Sequence, residues 1–295
     1  MTRTRNTRTN DLLAGTCESP LRRIALALCC AASIFVAHPL FGAVHGNIDA
    51  PHARLMVADG ASYFDTVSNV DPFTWLATPV EFGHSYEFTV WTPSNNLALP
   101  DQSLRVSAVE ADGTTAVAGA TGCGSCTPAL FGGGAATGGD RVVYGNLASP
   151  SPRLIKLRVE KAGGPPLTGQ VTFWIRAVDT TLAAARFTVN GYQAFFALNN
   201  LSRTTPAGGY ILYWNPNGIQ LSADSFNIPP NGSIQIVKPN GTPIAGALAG
   251  GVQIMFALGT AGQVEAREYN FNPTTGQYLT FDFTPVFQSM AGIQF

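Results

Sequence analysis

Asn–Gly and Asp–Gly pairs recur along this chain, and they constrain its fold more than any other feature. Five of them stand at residues 112–113, 190–191, 217–218, 231–232 and 240–241. Both members of such a pair tolerate the positive φ angles of tight turns, so each pair favours a reversal of the chain. The runs around them are short, are rich in Val, Ile, Thr and aromatic residues, and show no long helical period. The pattern predicts an all-β protein.

Ten of these runs are the clearest strand candidates, because each is bounded by Gly, Pro, Asn or Asp. They are Tyr86–Trp91, Leu104–Val109, Leu154–Val159, Val171–Val178, Gln193–Leu198, Tyr210–Trp214, Ser233–Val237, Val252–Leu258, Val264–Phe271 and Tyr278–Phe283. Two segments within them, Val171–Ile175 and Ile254–Leu258, are apolar on both faces. We expect these two at the centres of sheets that are covered on both sides.

A change of pattern near residues 179–185 predicts a domain boundary. A strand ends there, two threonines and an alanine run follow, and a new strand begins at Arg186. The spacing of strands and turns on either side is typical of immunoglobulin-like β-sandwiches. We therefore predict two such domains in tandem, at residues 44–180 and 181–295.

The two predicted domains also resemble each other weakly. Tyr86–Trp91 is followed by Asn-Asn-Leu at 95–97, and Tyr192–Ala197 is followed by the same residues at 199–201. The first domain is longer where it holds a glycine-rich stretch without strand pattern, which predicts an inserted loop at about residues 118–140. Duplication and chance likeness between two β-rich segments both remain open.

An apolar run behind a cluster of arginines predicts export. Five arginines and two acidic residues lie within the first 23 positions, and the uncharged run Ile24–Val36 follows. This is the layout of a secretory signal, and the run is shorter than the roughly 20 residues that a membrane-spanning helix needs. We predict a signal at residues 1–43, cleaved after Gly42 or Ala43, with no membrane span afterwards. The expected location is extracellular, at the cell surface or periplasmic.

Cleavage would leave a mildly acidic chain. Of the 17 basic and 18 acidic residues, residues 1–42 hold five and two, which leaves 12 and 16. No run of Lys or Arg remains to follow a phosphate backbone, so nucleic acid is excluded as a predicted partner. The low charge of a predicted sheet protein favours, as the binding partner, another protein or a second copy of the chain, bound through sheet edges.

Cys123 and Cys126 form a Cys-Gly-Ser-Cys motif in the glycine-rich stretch. A redox pair of this spacing needs a helix whose N-terminus lowers the pKa of the first thiol. The flanks, at 119–122 and 127–134, do not predict a helix. A structural disulfide is the favoured interpretation, with redox work or half of a zinc site as alternatives.

The histidines that remain after cleavage are His45, His52 and His84, and they are weak metal candidates. If the mature chain began at His45, its amine and imidazole would be available to copper together. That start, with a second histidine later, would resemble a lytic polysaccharide monooxygenase, whose mature chain begins with histidine. The favoured cleavage sites leave His45 inside the chain. A periplasmic copper or redox protein that uses these histidines or the cysteine pair is the first alternative function.

Trp75 is the one candidate for a surface contact among the tryptophans, although burial in the core is the favoured interpretation. It lies in Asp71–Leu76, a segment without a clear strand pattern, and a flat exposed indole would suit a sugar ring. A carbohydrate-binding module is therefore the second alternative function. Trp174 lies within a continuous apolar run and is predicted to be in the core.

The sequence carries no catalytic signature. Gly-x-Ser-x-Gly, a phosphate loop and His-x-x-x-His are all missing, and the acidic residues are dispersed. Enzymatic activity stays open, with the balance against it, and no cofactor is predicted. The favoured interpretation is a secreted or cell-surface, non-enzymatic β-sandwich protein that acts as an adhesion, binding or self-assembling structural module.

Overall fold

Strands dominate the part of the chain that the structure describes. The computed structural model describes residues 50–92, 104–122, 137–147, 153–161, 167 and 169–286. The elements up to residue 179 are one turn of 3₁₀ helix (Ala50–His52), β1 (Arg54–Leu55), β2 (Asp59–Val67), β3 (Phe73–Val80), β4 (Ser85–Thr92), β5 (Leu104–Val109), β6 (Thr121–Gly122), β7 (Thr137–Gly145), β8 (Arg153–Lys161) and β9 (Val171–Asp179). Those that follow are β10 (Leu182–Thr188), β11 (Gln193–Asn200), β12 (Ala207–Trp214), β13 (Gln220–Ile228), β14 (Ser233–Lys238), β15 (Ala249–Leu258), β16 (Val264–Phe271), β17 (Tyr278–Asp282) and β18 (Thr284–Pro285). The all-β prediction is confirmed.

All ten predicted strands are present, and two further segments correct the sequence interpretation. The segment around Trp75 is strand β3. The predicted loop at 118–140 contains β6 and the first four residues of β7, and β6 pairs with β7 further on, at Val142 and Val143. Residues 123–136 of the predicted loop lie outside the described part of the chain. Glycine-rich and proline-flanked segments have low intrinsic strand preference, so pairing with neighbours decides their conformation.

The turn dipeptides adopt the predicted backbone, with one variation. Gly113, Gly191, Gly218 and Gly241 have φ angles of 76°, 78°, 76° and 73°. At 231–232 the positive φ belongs to Asn231 instead, at 54°. An asparagine tolerates this region better than most side chains do, so either residue of the pair serves the turn.

The described strands form four sheets. Sheet A has the order β1-β3-β8-β5 and sheet B the order β2-β9-β4-β7-β6. Sheet C has the order β13-β12-β15-β10-β18 and sheet D the order β14-β11-β16-β17. The chain leaves sheet B after Asp179 and enters sheet C at Leu182, so it crosses at Thr180 and Thr181.

Two hydrophobic clusters lie between these sheets. Residues of sheets A and B, from Met56 to Ala177, form the first cluster, and residues of sheets C and D, from Ala184 to Phe283, form the second. Each pair of sheets therefore packs face to face around its own core, as in a β-sandwich. We refer to them as the N-terminal and C-terminal sheet pairs.

The strand order departs from the immunoglobulin order that the spacing predicts. In both sheet pairs the first two long strands lie in different sheets: β2 and β3 in B and A, β10 and β11 in C and D. An immunoglobulin domain keeps its first two strands in one sheet. Spacing indicates how many strands there are, but it does not determine which of them pair.

The two strands that are apolar on both faces behave differently. Strand β15 lies between β12 and β10, and Ile254 and Met255 on its opposite faces are both buried, as expected. Strand β9 lies between β2 and β4, but Trp174 on its outer face is only half-buried and packs on Phe64, with ring centroids 5.4 Å apart. The placement of Trp174 in the core is therefore wrong, because the outer face of sheet B is only partly covered.

Candidate functional site

The candidate metal ligands from the sequence do not form a site in the described part of the chain. His52 lies in the 3₁₀ turn and is exposed, whereas His84 lies in the turn that precedes β4. Within the residues that the structure describes, no three His, Cys, Asp or Glu side chains are placed to hold a metal ion. His45, Cys123 and Cys126 lie outside those residues, so the amino-terminal copper site and the disulfide stay predictions.

His84 has a structural partner at the crossing between the sheet pairs. Its Nδ1 lies 2.6 Å from Oδ2 of Asp179, the last residue of β9, and its Nε2 lies 3.7 Å from Oε2 of Glu81. Burial lowers the pKa of His84, but the hydrogen bond and charge of Asp179 and the charge of Glu81 outweigh it, so the pKa is raised. The pair fixes the turn before β4 to the end of β9.

Trp75 is not a surface contact. Its side chain is 7% exposed, because the outer face of sheet A is covered at this point. The guanidinium carbon of Arg158 lies 5.9 Å from the Trp75 ring centroid, and a Cβ added at Gly113 would lie 3.8 Å from the indole. The carbohydrate alternative therefore loses the residue on which it depended.

The two sheet pairs meet at a junction formed by Phe82, Gly83 and Gly145 on one side and Leu212, Trp214 and Met255 on the other. The rings of Phe82 and Trp214 make an edge contact with centroids 5.9 Å apart. A Cβ at Gly83 would come within 2.9 Å of the Trp214 ring, and one at Gly145 within 2.9 Å of the Met255 methyl group. Glycine at these positions lets two sheets approach closely.

Two hydrogen bonds cross between the same sheet pairs. The Gln253 side-chain amide donates to the carbonyl of Gly83 at 3.1 Å. The Ala261 N–H donates to the carboxylate of buried Glu87 at 2.9 Å. The second bond holds the turn between β15 and β16 against sheet B.

Beside this turn is a groove of about 340 Å³, the candidate binding site. Its walls are the crossing segment, the turn before β16, the first residues of β16 and the passage from β17 to β18. Its lining includes Asp179, Leu182, Leu201, Val264, Phe283 and Pro285. Its volume is at the lower end of the roughly 300–1,000 Å³ of ligand-binding clefts.

Strand β16 presents an open edge to the groove. The Leu201 N–H donates to the Gln263 carbonyl on the β11 side, and the Phe283 N–H donates to the Ala266 carbonyl on the β17 side. Backbone groups alternate in direction along a strand, so the N–H and C=O of Val264 point the same way as those of Ala266. Pairing with β17 begins only at Arg267, opposite Asp282. Among the described strands none pairs with this side of Val264, so its backbone faces the groove.

The groove has an apolar floor and a mainly acidic rim. Val264, Ala266 and Phe283 belong to the second hydrophobic cluster and are 5–8% exposed. Glu265 and Asp282 stand on either side of Arg267, with carboxylate oxygens 3.6 and 3.1 Å from its nitrogens. Asp179 adds a third carboxylate to the lining. An apolar group with a positive charge next to it would fit this combination.

The opposite side of the C-terminal sheet pair is closed by an ion pair. Lys238 of β14 lies 2.6 Å from the carboxylate of Asp224 of β13, which joins sheet D to sheet C. The Tyr213 hydroxyl donates to the same carboxylate at 2.7 Å, and Lys238 Nζ lies 4.9 Å from the Tyr213 ring centroid. This sheet pair is therefore pinned along one side, and the groove lies on the other.

A buried carboxyl group lies on β16 beyond the groove. Glu268 and Asn270 are both 0% exposed, and the Asn270 amide donates to Glu268 Oε1 at 2.7 Å. Glu268 Oε2 and Asn270 Oδ1 have no hydrogen-bond partner among the described residues. Burial raises the pKa of Glu268 to about 7, against the opposing effects of the Asn270 hydrogen bond and the charge of Arg186.

Sequence reasoning missed the groove residues and Glu268. The alternation of Val264, Ala266, Glu268 and Asn270 along one strand places a carboxylate on the apolar face, which is a readable signal. Nothing comparable identifies Leu201 or Val264, because the groove depends on where β17 stops pairing.

No family model matches the chain, and no curated protein matches it. Solved structures give weak likenesses. The adhesin domain of Epf from Streptococcus pyogenes is 12% identical, with a TM-score of 0.26 and 76% of each chain covered. A glycosyl hydrolase family 2 member from Bacteroides cellulosilyticus is 8% identical, with a TM-score of 0.19 and 73% of this chain and 28% of that chain covered. The full extracellular region of zebrafish Gpr126/Adgrg6 is 10% identical, with a TM-score of 0.20 and coverages of 77% and 30%. Likeness at this level supports neither a shared fold nor a shared function.

Proposed function

We propose that this chain is an exported, non-enzymatic protein that acts as an adhesion, binding or self-assembling module through its sheet edges. The proposal includes a cleaved signal at residues 1–43 and two β-sandwich domains at 44–180 and 181–295. The two separate hydrophobic clusters and the crossing at Thr180–Thr181 support that division. No helix in the described ranges is long and apolar enough to cross a membrane.

The observation that carries the proposal is the edge strand β17. It stands at the end of sheet D, and Tyr278 and Leu279 are 66% and 37% exposed. Proteins usually protect such edges with lysine, proline or a bulge. The only charged residue of β17 is Asp282, which already contacts Arg267. Within the described residues this edge is therefore unpaired and apolar, which favours strand addition by another chain.

The direction of the backbone groups supports the same conclusion. The Phe283 N–H points to β16, where it donates to Ala266. By alternation, the N–H groups of Phe281 and Leu279 also point to β16, and those of Thr280 and Tyr278 point outwards. The outer edge of β17 therefore offers donors to an added strand.

We expect the purified chain to self-associate as its concentration rises, measured by size exclusion with light scattering. Leu279→Lys should raise the dissociation constant by about tenfold, because it removes apolar contact and places a charge on the edge. Thr280→Pro should have a similar effect, since it removes one outward N–H without breaking a bond to β16.

Leu154→Lys is the matched control. Leu154 is 42% exposed, but it lies on β8, inside sheet A, so its substitution should leave association unchanged. A parent protein that stays monomeric at high concentration would count against assembly through β17.

A further inference from the structure

We propose that the groove beside β16 binds an extended, basic segment of a partner protein, which adds to the open edge of β16 at Val264. The inference rests on the proposed function as a binding module and names the site and the class of ligand. It concerns a different edge from that of β17, and the two can be tested separately.

Backbone pairing gives the first part of the recognition. The N–H and C=O of Val264 face the groove, and β17 turns away at Phe283 to join sheet C through β18. An extended peptide that enters beside Val264 would continue the ladder that β17 leaves, as in strand addition at other sheet edges. The site is short, so side chains must supply much of the affinity.

The floor of the groove supplies the apolar part. Val264, Ala266 and Phe283 are core residues that reach the surface here, and Leu201 stands at the rim with 59% of its side chain exposed. Side chains of an added strand alternate between faces, so one apolar residue would enter the groove and its neighbours would lie outside.

The charged side chains at the rim of the groove determine which charge is favoured in the peptide residues next to the inserted side chain. Glu265 and Asp282 share a single guanidinium, that of Arg267, and Asp179 lies on the opposite wall. Asp179 is already paired with His84, so the excess negative charge comes from Glu265 and Asp282, which have only one arginine between them. This excess attracts Lys or Arg in the residues next to the inserted side chain. A segment in which apolar and basic residues alternate meets all three requirements.

The test uses the full chain at a concentration where light scattering shows a monomer. A fluorescein-labelled peptide of valine, threonine and lysine is titrated by fluorescence anisotropy against a matched peptide with glutamate in place of each lysine. We expect the lysine peptide to bind at least about tenfold more tightly than the glutamate peptide, and added salt to weaken its binding.

Leu201→Lys should weaken binding of the lysine peptide by about tenfold, because it removes apolar contact and adds repulsion. The matched control is Ile219→Lys. Ile219 is 62% exposed in the turn between β12 and β13, away from the groove, so its substitution should leave binding unchanged. Glu265→Lys tests the rim alone, with an expected loss of about threefold.

Several results would overturn the inference. Equal binding of the two peptides, or equal binding by the parent and Leu201→Lys, would exclude this site. Peptide binding that Leu279→Lys removes and Leu201→Lys spares would assign recognition to β17. If the parent protein formed an oligomer and Leu201→Lys converted it to a monomer, the groove would bind a second copy of the chain. Tighter binding by a chain that ends at Val286 would make residues 287–295 the occupant. Self-association through β17 would stand or fall independently.

Discussion

At the scale of single residues, Glu268 is the least expected feature of the chain. Its side chain is 0% exposed on a strand whose inward-facing positions are otherwise Val264, Ala266 and Asn270. A buried carboxylate with one oxygen lacking a partner is unfavourable, and protonation removes the charge. The pKa of about 7 means that this proton is held near neutral pH.

Glu268 should make stability depend on pH. Its pKa is about 7 in the folded protein and 4.5 as the ordinary value, so the folded state binds the proton more tightly. The stabilisation from this proton is fully present below pH 4.5 and is lost as the pH rises to about 7. The parent should therefore lose on the order of 3 kcal/mol relative to Glu268→Gln between these limits, measured by urea unfolding at several pH values.

Glu265→Gln is the control for this experiment, since Glu265 lies on the same strand but is half-exposed at its side chain. Its pH profile should follow that of the parent. If the difference between the parent and Glu268→Gln were constant from pH 4 to pH 8, Glu268 would not hold the proton.

At the scale of elements, β12 and β15 approach so closely that two glycines in the pair have no room for a side chain. A Cβ at Gly209 would lie 2.0 Å from the Met255 carbonyl oxygen, and one at Gly250 would lie 1.8 Å from the Trp214 carbonyl oxygen. The register of this pair shifts between Gly208 and Gly209. Glycine therefore permits both a bulge and a close approach of the backbones.

Gly250→Ala should destabilise the protein by about 3 kcal/mol, because the methyl group would force apart two strands at the centre of sheet C. Thermal unfolding followed by circular dichroism measures the loss. Gly251→Ala, one residue further on, should have little effect, since the nearest atom to its Cβ would be Trp214 Cβ at 3.7 Å. If both variants lost the same stability, the loss would come from replacing a glycine in a strand and not from the close approach of the two backbones.

At the scale of the whole molecule, the outer face of sheet C is covered by the N-terminal sheet pair. Leu212 and Met255 are 0% and 1% exposed, yet they face away from the second hydrophobic cluster and towards Gly83 and Gly145. The sheet pairs thus share a buried contact in addition to the chain that links them. This contact also places the turn at Ala261, through Glu87, as one wall of the groove.

Met255→Ala should weaken this junction and cost about 2 kcal/mol, since it removes a buried side chain. Hydrogen exchange should then accelerate in β7 as well as in β15, because the Met255 methyl group packs at Gly145. Leu258→Ala is the control: Leu258 ends the same strand and is 37% exposed. Acceleration confined to β15 would show that the junction does not couple the two sheet pairs.

The local features of this chain could be predicted from its sequence. Turn dipeptides such as Asn217–Gly218 act through the φ angles of two residues, and runs such as Ser233–Val237 alternate because each strand has two faces. These causes operate within a few positions, so the strands, the turns and the all-β class were readable. Export, the disulfide and the domain division stay predictions from the sequence.

Tertiary structure decided which strands pair and what covers them. The sequence interpretation offered Trp75 as a candidate surface contact, with burial as the favoured alternative, and placed Trp174 in the core. The structure buries Trp75, because the region around Gly113 covers the outer face of sheet A, and leaves Trp174 only half-buried, because the outer face of sheet B is only partly covered. The groove likewise exists because β17 stops pairing at Asp282, so that no strand in the described ranges lies opposite the Val264 N–H. Burial and edge exposure depend on contacts between distant residues, and no local pattern records them.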